Sequence, residues 1–247
     1  TSSAASDVYK RQPITLGFCI PVGRLLSWVL RPEVTLSNLN LFAITLNTIV
    51  ISFFSSILIV ILAFLIVFSK NYFNNGPLKK ISQVATLGYS IPGAIIAIGI
   101  LKLSSAIEGL TSLLLIGSIS GLIFSYVVRF LAVAWQPIDS SMSKFGTNIN
   151  MASRTLNVKP LKSLFKVNYG VLKKPIFIAC LIVFIDISKE LPITLILRPF
   201  NFDTLSTLTY DLVNQAQFYQ SSIPSLIIIS ISLPAILLIK NQMDKGS

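Results

Sequence analysis

Six stretches of this chain are apolar over lengths that approach the thickness of a lipid bilayer, and nothing else in the sequence constrains its fold as strongly. A helix rises about 1.5 Å per residue and the hydrocarbon core is about 30 Å thick, so one crossing takes roughly 20 apolar residues. The stretches run from Pro13 to Leu30, Leu41 to Phe68, Ile81 to Leu103, Leu110 to Trp135, Ile176 to Leu197 and Ile223 to Ile239. Of the 247 residues 53% are hydrophobic and only 12% are charged, against about 25% charged in an ordinary soluble domain. The expectation is an all-α polytopic membrane bundle of about six transmembrane helices.

The net charge of +11 comes from Lys and Arg residues scattered between the apolar runs. They form no continuous basic face, so nucleic acid is not an expected partner. Their placement instead predicts orientation, because cytoplasmic connections are enriched in Lys and Arg. Lys70, Lys79 and Lys80 follow the second run; Lys144, Arg154, Lys159, Lys162, Lys166, Lys173 and Lys174 follow the fourth; Lys240 and Lys245 follow the sixth. Glu33, Glu108, Glu190, Asp203 and Asp211 lie in or beside the alternate connections. Both ends of the six-span unit are thus expected on the cytoplasmic side.

Several chemistries are unsupported. The chain has no His, which removes the commonest general base and transition-metal ligand. Cys19 and Cys180 each fall inside an apolar run and are read as small core residues, with no paired metal-ligand spacing. No Gly-rich loop ending in Gly-Lys-Ser or Gly-Lys-Thr is present to cradle phosphates. Neither catalytic residues nor a metal or other cofactor are expected. Residues 1–12, TSSAASDVYKRQ, are polar and unlike the rest, and are read as a non-native or disordered tail; residues 13–37 form a first span and its connection.

The connection from Asp139 to Lys174 separates the fourth and fifth spans by about 35 residues, and long connections in compact folds are usually functional. Met142, Phe145, Ile149, Ala152 and Leu156 recur at helical steps, with Ser140 or Ser141 able to cap that helix. Pro160 breaks the pattern and suits the first turn of a second helix, in which Leu161, Leu164, Phe165 and Asn168 share a face. Such a pair is either a knob that seats in a partner's groove or an interfacial pair on anionic headgroups; periodicity alone leaves both open.

Inside the spans, Asp186 lies about 11 residues past Pro175, hence roughly 17 Å deep. A charge at a helix centre costs about 2.5–3.5 kcal/mol on insertion scales, so it normally faces the bundle interior or water. Lys189 and Glu190 sit three and four positions on, which predicts one charged helical side that lines a path or fixes packing. Gly88, Pro92, Gly93 and Gly99 make the third run breakable, as a hinge or as a close-packing device. Arg198, Asp203 and Asp211 are expected on the outer side.

At residues 139–174 the sequence resembles the cytoplasmic coupling motif of binding-protein-dependent ABC importers: Glu-Ala-Ala, three residues, Gly, nine residues, Ile-x-Leu-Pro. Met151, Ala152 and Ser153 stand for Glu-Ala-Ala, Asn157 for the Gly, and Val167 through Gly170 for the closing segment. Only Ala152 and Val167 match closely. Asn tolerates the left-handed backbone that ends a helix, whereas the absent Glu removes an acidic contact. The run from Phe184 to Tyr210, FIDISKELPITLILRPFNFDTLSTLTY, is similar to the segment after the coupling loop in ferric-iron permeases. Gly88 to Leu101 and Pro13 to Trp28 resemble further parts of that group.

The resemblance implies a transmembrane permease domain over residues 38–240, a cytoplasmic tail over 241–247, and correspondence to the later half of a duplicated permease. It implies cytoplasmic ATPase subunits, a periplasmic iron-binding protein and a second permease half as partners, with ATP hydrolysis on the separate subunit. Met151, Ala152, Ser153, Asn157, Pro160, Val167 and Gly170 would form the ATPase-coupling loop. Asp186, Lys189, Glu190, Pro192, Pro92 and Gly93 would line or gate the translocation path. Sulfate, thiamine and polyamine permeases, and an ion-coupled secondary transporter built around Asp186, are the alternatives.

Overall fold

A computed structural model describes residues 12–31, 40–73, 80, 87–111 and 116–244, without the side chains of 108–111, 145–150, 152, 154 and 161. All regular structure among the described residues is helical, and the chain is an all-α membrane bundle. A π-helical turn, Thr15–Cys19, leads into α1 (Ile20–Val29). There follow α2 (Leu41–Phe73), a 3₁₀ turn (Gly88–Ser90), α3 (Gly93–Thr111) and α4 (Ile119–Thr155). The short α5 (Pro160–Lys162) passes through a π-helical stretch, Ser163–Asn168, into α6 (Tyr169–Ser188). The chain ends with α7 (Pro192–Leu197), α8 (Leu205–Asn214) and α9 (Phe218–Asp244).

Among the described residues, three helical stretches are long and apolar enough to cross a membrane: Leu41–Phe73, Ile119–Lys144 and Phe218–Asp244. The core is a three-helix unit in which α2, α4 and α6 pack pairwise. Lipid tails are as apolar as Leu, so burial alone does not drive such helices together, and close van der Waals contact must. The buried stripe of α2 is accordingly rich in small side chains, with Thr48, Ser52, Ser55, Ser56 and Ala63 alternating with Ile59, Val60 and Val67. Against it lie Tyr126, Phe130 and Ile138 of α4 and Leu172, Ala179 and Val183 of α6. The opposite side of α2 exposes Phe42, Leu46, Phe53, Phe54 and Ile61, as suits hydrocarbon. Helix α1 packs on α9, and α3 packs on α7 and α4.

Four sequence expectations are corrected. The third run is not one helix: it breaks at the 3₁₀ turn and Pro92, and α3 starts only at Gly93. The fifth run also breaks, since α6 ends at Ser188 and α7 restarts at Pro192. The long connection is almost entirely helical: α4 continues through Pro137 to Thr155, and α5 begins at Pro160. Ser140 and Ser141 therefore cap nothing, and Met142 is buried in the core while Leu156 is exposed, so they do not share one face. Phe145 and Ile149 lie outside the described side chains. Cys19 is exposed, not a core residue, and Cys180 is half-buried beside Ser56, Sγ to Oγ 3.6 Å; both are free.

Candidate functional site

The two breaks meet each other on one side of α4. Gly88 is seated so closely on α4 that a Cβ there would overlap the Val128 carbonyl oxygen and lie 3.0 Å from its carbon. Only a residue without a side chain lets the 3₁₀ turn cross at this height. Five residues on, a Cβ on Gly93 would collide with Nη1 of Arg129 and come within 2.9 Å of Glu190 Oε1. The start of α3 thus rests on a charged pair: Arg129 Nε lies 3.6 Å from Glu190 Oε2. The Glu190 side chain is 6% exposed and that of Arg129 19%, and Nε and Nη1 of Arg129 have no hydrogen-bond acceptor among the described residues.

Glu190 is available for this pairing because α6 stops two residues before it. The freed backbone groups find local partners, as buried N–H and C=O groups require. The Glu190 N–H donates to Ile187 O at 3.0 Å, and Ser206 Oγ of α8 donates to Ser188 O at 3.1 Å. The Glu190 carboxylate accepts the Ile193 N–H at 3.2 Å, and Thr194 Oγ1 donates to Glu190 O at 2.9 Å. Thr194 in turn meets Tyr126 of α4, hydroxyl to hydroxyl, at 2.7 Å. Pro192, with no N–H to satisfy, occupies the first turn of α7.

The three charges of this segment do not form one helical side. Asp186 and Lys189 pair with each other, Oδ1 to Nζ 3.0 Å, while Glu190 turns to Arg129. Asp186 also lines a cleft of about 410 Å³ with Tyr89, Ser90, Trp135 and Gln136, walled by Ala132, Val133 and Ile182. One open cleft thus reaches from the first break to the last turn of α6. Pro92 lies at the surface beside it, and Gly93 beneath.

At the Lys-rich end, α4 closes with a Schellman turn. Asn157 takes φ 51°, the left-handed value expected of it, and the Val158 N–H donates to Ser153 O at 2.9 Å. Ser153 is buried; Met151, Leu156, Pro160, Phe165, Tyr169 and Gly170 are exposed, and Val167 is half-buried. Ala152 falls within α4, its side chain outside those described. Asn168 is buried and ties the second arm by donating to Ser163 O at 3.0 Å. The tip is propped by α2: Tyr72 donates to Val158 O at 3.3 Å, and Lys70 binds both oxygens of Asp139 at 3.0 and 3.1 Å while lying 5.2 Å from the Trp135 ring centre.

At the opposite end, Arg198 bridges Asp203 and Asp211. This clamp holds the turn of Phe200, which is 95% exposed, and Asn201, whose φ is 59°. Asn47 of α2 donates to Asp203 O and the Leu205 N–H donates to Thr48 Oγ1, so the turn is fixed to the core.

Arg129 was not among the residues singled out from sequence, although it is the one charge in the run from Leu110 to Trp135. The cost argument applied to Asp186 applies equally to it. No sequence signal links it to Glu190, 61 positions away, because the pairing depends on both breaks.

No family model and no curated protein sequence matches the chain. Its structure is similar to a chain in the crystal structure of a bacterial alginate ABC transporter in complex with an alginate pentasaccharide-bound periplasmic protein. The TM-score is 0.71 and the identity 13%, over 96% of this chain and 91% of that one. At that identity the likeness establishes the fold: nearly the whole chain follows the path of a protein built into an ABC transporter assembly.

Proposed function

We propose that this chain is the permease subunit of an ATP-binding-cassette importer in an inner membrane, with the termini of its six-span unit cytoplasmic. The observation that carries the reading is the helical hairpin at the Lys-rich end, where α4 and α5 meet at Asn157. It falls where the coupling motif is expected, and its arms leave Met151, Leu156, Phe165 and Tyr169 exposed. A groove on a cytoplasmic ATPase that receives this apolar tip would feel any movement of α4 and α6. The fold shared over 96% of the chain supports the same reading.

In this reading the cleft at Asp186 belongs to the translocation path. The layer beneath it, formed by Gly93, Arg129 and Glu190, is a gate held by the ion pair, with Pro92 and Pro192 at its two hinges. A second permease half faces the path, and the Phe200 turn at the outer end meets a periplasmic binding protein. The proposed solute is ferric iron, supported by the likeness of Phe184 to Tyr210 and Gly88 to Leu101 to ferric-iron permeases.

Reconstitution of the chain with its second half, ATPase and iron-binding protein in proteoliposomes tests both levels. The expected result is iron uptake that requires ATP and the binding protein. Uptake independent of ATP overturns the importer reading in favour of ion-coupled transport. ATP-driven uptake of sulfate, thiamine or a polyamine, but not iron, overturns the solute alone.

A further inference from the structure

The end of the bundle away from the hairpin carries a basic and aromatic cluster that neither the gate nor the tip uses. Arg24 and Trp28 lie one turn apart on α1, and Arg31 stands two residues past its last residue, Val29. The guanidinium of Arg24 sits 5.3 Å from the Trp28 ring centre, and that of Arg31 sits 5.4 Å from the ring centre of Tyr219 at the start of α9. Trp28 and Tyr219 meet edge to face at 5.9 Å, which joins the two cation–aromatic pairs into one patch. Both arginines are exposed, and neither has a carboxylate partner among the described residues.

Position decides what such a patch can hold. Arg24 lies in the apolar helix, about one and a half turns short of its end, where an ionised side chain facing hydrocarbon is unfavourable. Its guanidinium is directed toward Trp28, nearer the helix end, as expected of a side chain extended to the membrane interface. Trp and Tyr favour the same level, one side of the ring in acyl chains and the other in headgroups. Two cations held on aromatic rings at that depth, with no carboxylate partner among the described residues, are placed to meet lipid phosphates. Arginine suits a phosphodiester, because its planar fork can donate two hydrogen bonds to one phosphate.

We infer that Arg24, Trp28, Arg31 and Tyr219 form a headgroup site for an anionic phospholipid at the outer end of α1 and α9. The ligand's phosphodiester lies between the two guanidiniums and its acyl chains run along α1 and the π-helical turn before it, where Leu16, Ile20 and Leu26 are exposed. Each cation near an anionic membrane surface adds about fivefold, so two give a preference of about 30-fold for an anionic over a zwitterionic lipid. The inference is independent of the transported solute.

Trp28 supplies the probe. With Trp135→Phe as background it is the one remaining tryptophan. The full chain is placed in nanodiscs containing a small mole fraction of brominated phosphatidylglycerol, or of brominated phosphatidylcholine with the same acyl chains. Trp28 should be quenched at far lower fractions of the first lipid. Arg24→Gln with Arg31→Gln should remove the difference, and Arg24→Lys with Arg31→Lys should keep part of it. Soluble glycerol phosphate and inorganic phosphate should not displace the lipid. Equal quenching by both lipids, or a preference that survives the double glutamine variant, overturns the site. Absence of quenching by either lipid overturns it too and points to a protein covering this face; displacement by inorganic phosphate makes it a free-phosphate site.

Discussion

The pair Arg129–Glu190 gives the sharpest test of the gate. Removing one partner of a buried ion pair costs about 3–5 kcal/mol, because the other charge is left desolvated and alone. Here the Arg129 side chain is 19% exposed and the contact is 3.6 Å, so a value of about 2–4 kcal/mol is appropriate for Arg129→Met. Glu190→Gln keeps an oxygen for the Ile193 N–H but leaves the arginine unpaired, and should cost a similar amount or slightly less. In the double variant no uncompensated charge remains. Its loss should fall short of the sum of the single losses by about 2 kcal/mol, a coupling typical of residues in direct contact. Denaturant unfolding of the four proteins in mixed micelles supplies the cycle. Additivity within about 0.5 kcal/mol would refute the pairing. Uptake in proteoliposomes then separates a gate from a brace. If the pair closes the path, transport stays impaired in the double variant despite its recovered stability; restored transport would leave the pair a purely structural role.

Other outcomes follow from the same geometry. Gly88→Ala should destabilise by about 1–3 kcal/mol or more, since the colliding atom is α4 backbone and cannot move aside. Gly93→Ala meets a flexible guanidinium, so its effect should largely vanish in the Arg129→Met background, and an equal effect in both backgrounds would exclude the ion pair as its target. Asn157→Gly should be tolerated whereas Asn157→Ala should cost about 1–2 kcal/mol, because φ 51° is left-handed; amide exchange across 153–159 reports both. Lys70→Met should change global stability by under about 1 kcal/mol, as both partners are partly exposed, yet speed exchange near Val158. Asp186→Asn should reduce uptake at normal membrane abundance, and unchanged uptake would remove Asp186 from the path.

The membrane bundle was legible from its apolar runs, because hydrocarbon imposes one requirement on every crossing. The left-handed turn at Asn157 and the helix start at Pro160 were legible too, since each follows from the residue's own backbone chemistry. The breaks were only half visible. Pro92 and Gly93 marked the first, but Lys189 to Leu191 carry no breaker before Pro192, and periodicity therefore extended α6 into α7. That error placed Asp186, Lys189 and Glu190 on one side. The partner of Glu190 comes from α4, and the groups that satisfy the broken backbone come from α8 and α4; tertiary packing alone brings Ser206, Thr194 and Tyr126 there. The connection after Trp135 was read as separate from the span because the apolar run ends there, although the helix continues through Pro137 to Thr155.

That continuity gives α4 a mechanical property. Its 37 residues extend about 55 Å at 1.5 Å per residue, well beyond a bilayer core of about 30 Å. Eighteen residues separate Pro137 from Thr155, an arm of about 27 Å. A bend of 10° at the proline would swing the tip by about 5 Å, while Arg129, eight residues to the other side, would shift by about 2 Å. In the proposed importer the helix would be a lever with unequal arms, a wide stroke at the hairpin becoming a small displacement at the buried charges. The same gearing runs backwards, since coupling between two sites is reciprocal: whatever loosens Arg129 from Glu190 should alter how tightly the hairpin is held.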